Sequence, residues 1–339
     1  MTTIALSSSQ KGLPMVKLLK VHGSENTFFL FDLTQFEKQP SLSSIAKLAV
    51  VCQKSANPVF KNIDGILVVT NSTHPDCLGK MIVINADGSR ASMCGNGLRT
   101  VTRYLAERYQ KKQFHVETDQ ADLAVTSEPE LAPNVPAFGV EIGPIRFNQA
   151  AFPFANLHTE TIQNQPLPDL DHDLRFSAIA VPNPHLISFV SKAVLQSDRL
   201  EKLGTRLNSK NQYFPDGVNV SFATILGENR LFVRTFERGV GFTNACGTGM
   251  SATSLAYAIN QSGGDFDRLV TVFNPGGMVK VHAVCRAENY QLQLIANATT
   301  LGYITIPTTA LWQHQFNQAN YKQTNEETAY QAWVKAIKN

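Results

Sequence analysis

Two short stretches decide the fold that the sequence predicts: Cys94-Gly95-Asn96-Gly97 and, 152 positions later, Cys246-Gly247-Thr248-Gly249. Both have the pattern C-G-[NT]-G, both follow a β-rich stretch and a loop, and both lead into a segment with helical spacing. Repetition of a motif in the same local setting indicates two similar halves. We therefore predict two domains that present equivalent corners to one site.

The segments around the motifs predict short strands and one buried helix in each half. Apolar residues at helical spacing follow the first motif from Leu98, and small apolar residues follow the second from Met250. By contrast, the proline and glutamate content of residues 127–136 predicts a long loop or a domain boundary. The predicted strands span residues 27–31, 65–70, 80–85, 217–223 and 230–236.

The composition restricts the class of protein. The chain has 339 residues, enough for two domains, with 43% hydrophobic residues and a net charge of only +3. Such a small and scattered charge gives no basis for a nucleic-acid partner. No apolar stretch approaches the roughly 20 residues of a membrane span, and residues 1–14 lack the features of a signal peptide. We therefore expect a cytoplasmic protein.

The five cysteines predict neither a disulfide framework nor a C-x-x-C zinc site. Cys52, Cys77 and Cys285 are expected to be structural. Cys94 and Cys246 differ because each precedes a helix, whose N-terminal amides favour a thiolate and predict a lowered pKa. Such amides also bind carboxylates. Two of these corners around one α-carbon suit stereoinversion, in which one thiolate removes a proton and the opposite thiol supplies another.

A competing hypothesis rests on residues 247–252, which match the dinucleotide fingerprint G-x-G-x-x-A. Asp265 or Asp267 lies near the position of its ribose-binding acid. However, residues 237–245 separate the fingerprint from its strand, and Gly263-Gly264 rather than a strand follows the helix. An NAD-dependent dehydrogenase and a catalytically silent amino-acid-binding protein remain as alternatives.

Longer stretches around both motifs resemble the diaminopimelate epimerase family, from Val16 to Ile306. The strongest similarity lies in residues 85–99 and 237–249. Further support comes from His22-Gly23 with Asn26, from Asn183-Pro184-His185, from residues 217–222 and from Pro275-Gly276-Gly277. The order and spacing of these motifs make the resemblance specific.

The resemblance implies an α+β fold of two pseudo-symmetric domains, each a mostly antiparallel sheet wrapped around a central helix. Residues 15–138 would form the N-terminal domain carrying Cys94, and residues 139–295 the C-terminal domain carrying Cys246. A final strand near residues 296–308 is expected to return to the first domain. Residues 310–339 are expected to form a helical tail, in which we identify no chemistry.

The resemblance also implies a reaction, the interconversion of LL- and meso-2,6-diaminopimelate for lysine and peptidoglycan synthesis. Cys94 and Cys246 would be the two bases, acting without a cofactor or a metal. His185 and Glu237 would polarise the thiols, and Glu237 with Arg238 would hold the distal end of the substrate. The expected partners are this amino acid and a second copy of the chain, with no nucleic acid and no membrane. The other implied substrate-binding residues are Asn26, Asn85, Gly95, Asn96, Asn183, Asn219, Gly247 and Thr248.

The sequence departs from the usual family pattern around the pocket, while both cysteine corners are intact. Glu25 replaces a usual glycine, Thr27 an aspartate and Phe242 an acidic residue. Gly65 stands where a glutamine is common, and residues 296–298 read Ala-Asn-Ala rather than Gly-Pro-Ala. Because these positions concern the substrate, another cofactor-independent amino-acid racemase or epimerase of this fold is the alternative function.

Overall fold

The structure of the chain, a computed structural model, describes residues 14–150, 153–260, 264–287 and 289–338. Residues 1–13, considered above as a signal peptide, and Gly263, considered with the dinucleotide fingerprint, lie outside these ranges. The elements of the first half are β1 (Met15–Gly23), β2 (Asn26–Asp32), α1 (Leu42–Gln53), β3 (Gly65–Thr70), β4 (Cys77–Asn85), β5 (Arg90–Ala91), α2 (Gly95–Tyr109), β6 (Gln113–Glu117), β7 (Asp122–Ala132) and β8 (Val135–Ile142).

The chain continues with the elements of the second half. These are β9 (Gln165–Leu167), β10 (Asp171–Ala180), β11 (Pro184–Phe189), α3 (Lys192–Gln196), α4 (Arg199–Asn208), β12 (Asn219–Gly227), β13 (Arg230–Glu237), β14 (Gly241–Phe242), α5 (Gly247–Asn260), β15 (Arg268–Asn274), β16 (Gly277–Arg286) and β17 (Asn289–Asn297). The remaining elements are β18 (Thr299–Pro307), α6 (Thr308–Trp312), β19 (Asn320–Gln323) and α7 (Glu326–Lys338).

The two halves pair their strands in the same order and with the same directions. In the first half, β1–β2 is antiparallel, β2–β3 parallel, β3–β4 antiparallel, β4–β6 parallel, and β6–β7–β8 antiparallel. Strands β10, β11, β12, β13, β15, β16 and β17 repeat this series. In each half the central helix, α2 or α5, follows a two-residue strand and precedes the next parallel strand. The predicted α+β fold of two pseudo-symmetric halves is confirmed.

One continuous sheet runs through both halves. The last strands of the two repeats, β8 and β17, pair antiparallel, with Val140 opposite Leu294. Immediately after β17, strand β18 crosses back and pairs with β1, with Met15 opposite Pro307. The division of the chain at residues 138 and 139 falls inside β8 and stays a prediction.

Buried apolar residues hold both central helices in place. Leu98 and Val101 of α2 and Leu255 and Ala256 of α5 have no exposed surface, and they belong to one apolar cluster formed by both halves. Helix α1 packs on the outer face of the first half, and α4 on that of the second. No helix in the described ranges is long and apolar enough to cross a membrane.

Two local predictions differ from the structure. Helix α2 begins at Gly95 rather than after Gly97, because Cys94 itself caps the helix. Residues 127–136 form the turn end of a β-hairpin rather than a loop. Pro129 lies where the β7–β8 register shifts, so its missing N–H is tolerated, and Asn134 turns the chain with a φ of 61°.

Candidate active site

A cleft of about 460 Å³ lies between the two halves, beside both cysteine motifs. Ser92 and Met93, which precede Cys94, line it from the first half, and Thr248, which follows Cys246, lines it from the second. This volume suits a small polar molecule. The other lining residues are Gln120, Pro153, Pro182, Asn183, Pro184, Asp216, Gly217 and Arg238.

Cys94 is held from two sides at the start of α2. The Gly97 N–H donates to the Cys94 Sγ at 3.4 Å, and the sulfur donates to Asn26 Oδ1 at 3.8 Å. Burial raises the pKa of the Cys94 thiol, while the Gly97 N–H and the Arg99 charge act in the opposite direction. The helix start therefore acts as predicted, but burial outweighs it. The prediction of a lowered pKa was wrong for Cys94.

Cys246 occupies the matching position before α5. Its Sγ lies 3.7 Å from Thr248 Oγ1. Burial raises the pKa of this thiol, and the Glu237 carboxylate raises it further, while the Gly249 N–H lowers it. Thr243 donates a hydrogen bond to Glu237 and fixes that carboxylate. The prediction of a lowered pKa was therefore wrong for Cys246 as well. Both cysteines carry their protons at neutral pH, and one must lose its proton before it can act as a base.

His185 supports the second corner from inside the protein. Its Nε2 lies 3.1 Å from Thr248 Oγ1 and 3.3 Å from Asn183 Oδ1. Burial, together with the Arg238 charge, lowers the pKa of His185 to about 3, so the ring is neutral near pH 7. His185 contacts Thr248, which in turn contacts Cys246. The arrangement orients Thr248 rather than supplying a positive charge to the sulfur.

The asparagines of the predicted site have different surroundings. Asn219 is buried; its Nδ2 donates to the Pro184 carbonyl at 3.0 Å, and its Oδ1 accepts the Arg238 N–H at 2.8 Å. It therefore fixes two backbone segments of the cleft wall. Asn85 lies at the end of β4 and donates from Nδ2 to Ser89 Oγ at 3.0 Å.

Several lining residues were not predicted, among them Gln120 and Asp216. Gln120 lies in the turn between β6 and β7, and its Nε2 donates to Ser92 Oγ at 2.9 Å. From the opposite half, the exposed Arg238 side chain donates to the Asp216 carbonyl at 3.0 Å. Gln120 belongs to no motif. A turn that is distant in sequence from both cysteine motifs brings it to the cleft, so no local pattern indicated it.

Arg99 is a fully buried cation beside the first corner. It donates to Asn96 Oδ1 at 2.9 Å, to Ser24 Oγ at 3.0 Å and to the Asn297 carbonyl at 3.1 Å. Within the described ranges, its hydrogen-bond partners are all neutral. Arg99 thereby ties Asn96, in the first turn of α2, to two other chain segments and places a positive charge near Cys94.

Two departures from the family pattern have local structural reasons, at Gly65 and Phe242. Glu25 has none, because its φ of 67° is a conformation that the usual glycine adopts more easily. A Cβ on Gly65 would lie 2.3 Å from the Ile84 carbonyl oxygen, so a larger residue does not fit there. Phe242 lies under the Arg234 guanidinium, 4.5 Å from the ring centroid. The aromatic ring is thus a cation–π partner of Arg234.

Outside the cleft, the described residues include one trio with metal-ligand chemistry. The ligand atoms of His74, Cys77 and Asp122 lie within 4.8 Å of one another. His74 Nδ1 is 2.8 Å from Asp122 Oδ1. Burial and the Asp122 charge raise the pKa of Cys77 to about 11. The trio is therefore a hydrogen-bonded His74–Asp122 pair beside a protonated thiol.

Comparisons with known proteins assign the family. The sequence profile of diaminopimelate epimerase matches residues 18–145 and 177–294. The diaminopimelate epimerase of Lactiplantibacillus plantarum is 49% identical over 325 residues, covering 94% of this chain and 98% of that protein. The enzyme of Enterococcus faecalis is 45% identical over 324 residues, covering 95% and 98%.

Solved structures of other proteins share the fold. Methylitaconate-delta-isomerase aligns with a TM-score of 0.60 and 15% identity, over 88% of this chain and 97% of that one. A phenazine biosynthesis protein of the PhzF family from Bacillus anthracis aligns with a TM-score of 0.56 and 14% identity, over 87% and 99%. At these identities the likeness concerns the fold alone.

The repeated halves, the cleft between them and these comparisons define an isomerase. More particularly, the chain belongs to the diaminopimelate epimerase family. This assignment replaces the dehydrogenase alternative. The two acids considered for ribose binding have other partners: Asp265 forms an ion pair with Arg268 at 2.6 Å, and Asp267 Oδ1 lies at hydrogen-bond distance, 2.8 Å, from His282 Nε2.

Proposed function

We propose that the chain interconverts LL- and meso-2,6-diaminopimelate, with Cys94 and Cys246 as the two acid/base groups. One observation carries the assignment of the residues. Each cysteine lies at the start of a buried central helix, and the two helix starts adjoin one cleft from opposite halves of the molecule. A stereocentre held in that cleft is accessible to one sulfur on each face.

The helix starts explain how charge is stabilised during the reaction. The first backbone amides of α2, at Gly95 and Asn96, and of α5, at Gly247 and Thr248, have no partner within their helices. Together with the helix dipoles they favour a carboxylate. As the α-proton leaves, negative charge spreads onto that carboxylate, and the same amides stabilise it.

The proton transfers balance without any other reactant. One cysteine, as a thiolate, takes the α-proton, and the opposite thiol gives its proton to the other face of the carbon. When the product leaves, the first cysteine is a thiol and the second a thiolate. In the reverse reaction the two cysteines therefore exchange their roles. His185 orients Thr248 beside Cys246, and Glu237 with Arg238 holds the distal end of the substrate.

The homodimer stays a prediction, which sedimentation analysis tests.

Proton NMR of LL-diaminopimelate in D2O tests this function. We expect the α-proton signal to decrease as the meso isomer forms, because the proton delivered by the second thiol comes from solvent. The measurement uses enzyme dialysed against a chelator. A ligand that binds without incorporating deuterium would indicate an amino-acid-binding protein. Exchange with another amino acid, but not with diaminopimelate, would indicate a racemase of different specificity.

The Arg238→Lys variant tests recognition of the distal carboxylate. A lysine ammonium cannot reproduce the two parallel hydrogen bonds of a guanidinium. We expect substrate binding to weaken by about 1.5–3 kcal/mol, measured as an increase in Kd by calorimetry. Arg234→Lys, which changes a guanidinium that stacks on Phe242, is the matched control. Unchanged affinity and turnover in Arg238→Lys would place Arg238 outside the substrate site.

A further inference from the structure

The turn between β1 and β2 has a conformation that its own residues do not favour. Ser24 and Glu25 form this two-residue turn, with φ values of 51° and 67°. Such left-handed conformations are costly for residues other than glycine and persist where the surroundings hold them. Asn26 comes directly after the turn and accepts the hydrogen bond from the Cys94 sulfur. The position of Asn26 therefore depends on what holds the turn.

His22 closes the turn from inside the protein. It is only 2% exposed, and its Nδ1 accepts the Glu25 N–H at 3.1 Å. An Nδ1 that accepts a hydrogen bond carries a lone pair, so the imidazole proton is assigned to Nε2. Nε2 lies 2.8 Å from Glu327 Oε2. The turn is thus linked through one imidazole to helix α7.

Helix α7 is anchored at several points along its first turns. The Tyr330 ring meets the His22 ring edge-on, with centroids 4.7 Å apart and an interplanar angle of 71°. The contact with His22 lowers the pKa of Glu327. Glu326 accepts two hydrogen bonds from Arg103 of α2, at 2.6 and 2.8 Å. Helix α7 therefore connects the turn to the helix that Cys94 begins.

The turn also packs directly on the start of α2. A Cβ on Gly23 would lie 2.6 Å from the Asn96 carbonyl oxygen, so the two backbones are in close contact. The Ser24 N–H donates to Asn297 Oδ1 at 2.9 Å. Asn297 and Glu25, two of the departures from the family pattern, thus meet at this one turn. A shift of the turn is transmitted to the amides around Cys94.

We propose that helix α7 positions the Cys94 side of the active site, because the Glu327–His22 contact holds the Ser24-Glu25 turn and keeps Asn26 on the Cys94 sulfur. His22 and Glu327 are positioning residues, since they act through the turn. An effect of these residues on kcat rests on the proposed function, whereas their effect on the reactivity of the Cys94 thiol does not.

Two variants test the proposal by separate routes. Glu327→Ala removes the carboxylate. His22→Asn keeps a short side chain that can accept the Glu25 N–H but cannot extend to Glu327. We expect each to lower kcat for LL-diaminopimelate about tenfold, with a smaller change in KM because Glu237 and Arg238 lie in the other half.

Alkylation by iodoacetamide, followed by peptide mapping, gives the second measurement. In both variants Cys94 should react several times faster. The turn covers the thiol less, and Asn26 no longer accepts a hydrogen bond from it. Cys246 in the same sample is the internal reference and should react at the wild-type rate. Glu327→Gln keeps the size of the side chain and its contact with His22 but removes the charge, and it should give an intermediate effect. Lys335→Ala, at an exposed position on α7, should behave as wild type.

The outcomes separate the proposal from its rivals. Wild-type kcat and wild-type Cys94 reactivity in both variants would overturn it. An equal increase at Cys94 and Cys246 would also overturn it, because it indicates general loosening, which thermal unfolding would show as a lower Tm. A selective increase at Cys94 in a protein without epimerase activity would support the positioning role of α7 and refute the proposed function.

Discussion

Replacing Cys94 or Cys246 with alanine is expected to lower the rate of net epimerisation by roughly 10²–10⁴-fold, the contribution of a positioned acid or base. Each sulfur serves one face of the stereocentre, so the remaining thiol cannot both remove and deliver the proton with inversion. Proton NMR of LL-diaminopimelate measures the rate, and circular dichroism checks that the fold is retained.

The other cysteines supply matched controls. Cys77→Ala and Cys285→Ala change partly buried residues that do not line the cleft, and both should keep wild-type turnover. Cys52 lies in the core without exposed surface, so Cys52→Ala should lower stability by about 0.5–3 kcal/mol and leave turnover unchanged. A Cys94→Ala enzyme that epimerises at the wild-type rate would refute the two-base mechanism.

Arg99→Lys is expected to lower the free energy of unfolding by about 2–3 kcal/mol, because hydrogen bonds to a buried charge are lost. The guanidinium holds Asn96, Ser24 and the Asn297 carbonyl at the same time. A lysine brings the charge but cannot reach three fixed acceptors in these directions. Urea denaturation at 25 °C measures the change, and turnover should fall with it because Asn96 lies in the first turn of α2.

Arg90→Lys is the control for Arg99→Lys. The Arg90 side chain is 45% exposed and pairs with Asp119 at the surface, so its replacement should change stability by less than about 0.5 kcal/mol. If Arg99→Lys unfolds at the wild-type urea concentration and keeps full turnover, the buried guanidinium does not organise the first corner.

The parts of the structure that sequence reasoning predicted are those with a local signal. The C-G-[NT]-G repeat lies in one short segment of each half, and apolar spacing marks the helix after each copy. These signals were sufficient to predict the repeated halves and the placement of Cys94 and Cys246 at two helix starts. Strand β3 also matches its predicted span, because turn residues flank a continuous apolar run.

The features that were missed depend on residues distant in the chain. The C-terminal tail was predicted to be helical and without chemistry. It also contains strand β19, which pairs with β18, and its Glu326 and Glu327 contact Arg103 and His22. A polar helix carries no local sign of which residues it will meet. The predicted direction of the pKa shift at Cys94 and Cys246 was wrong for a related reason, because burial is a property of the folded core rather than of the motif.

The return of β18 to β1 has a consequence for synthesis on the ribosome. Met15 lies directly opposite Pro307 in this pairing, so β1 lacks one of its neighbours until residues 299–307 have been made. At the usual rates of translation that interval is roughly 15 to 60 s. Throughout it, β1 offers an unpaired edge to other nascent chains. The half that is synthesised first is therefore the half that is completed last.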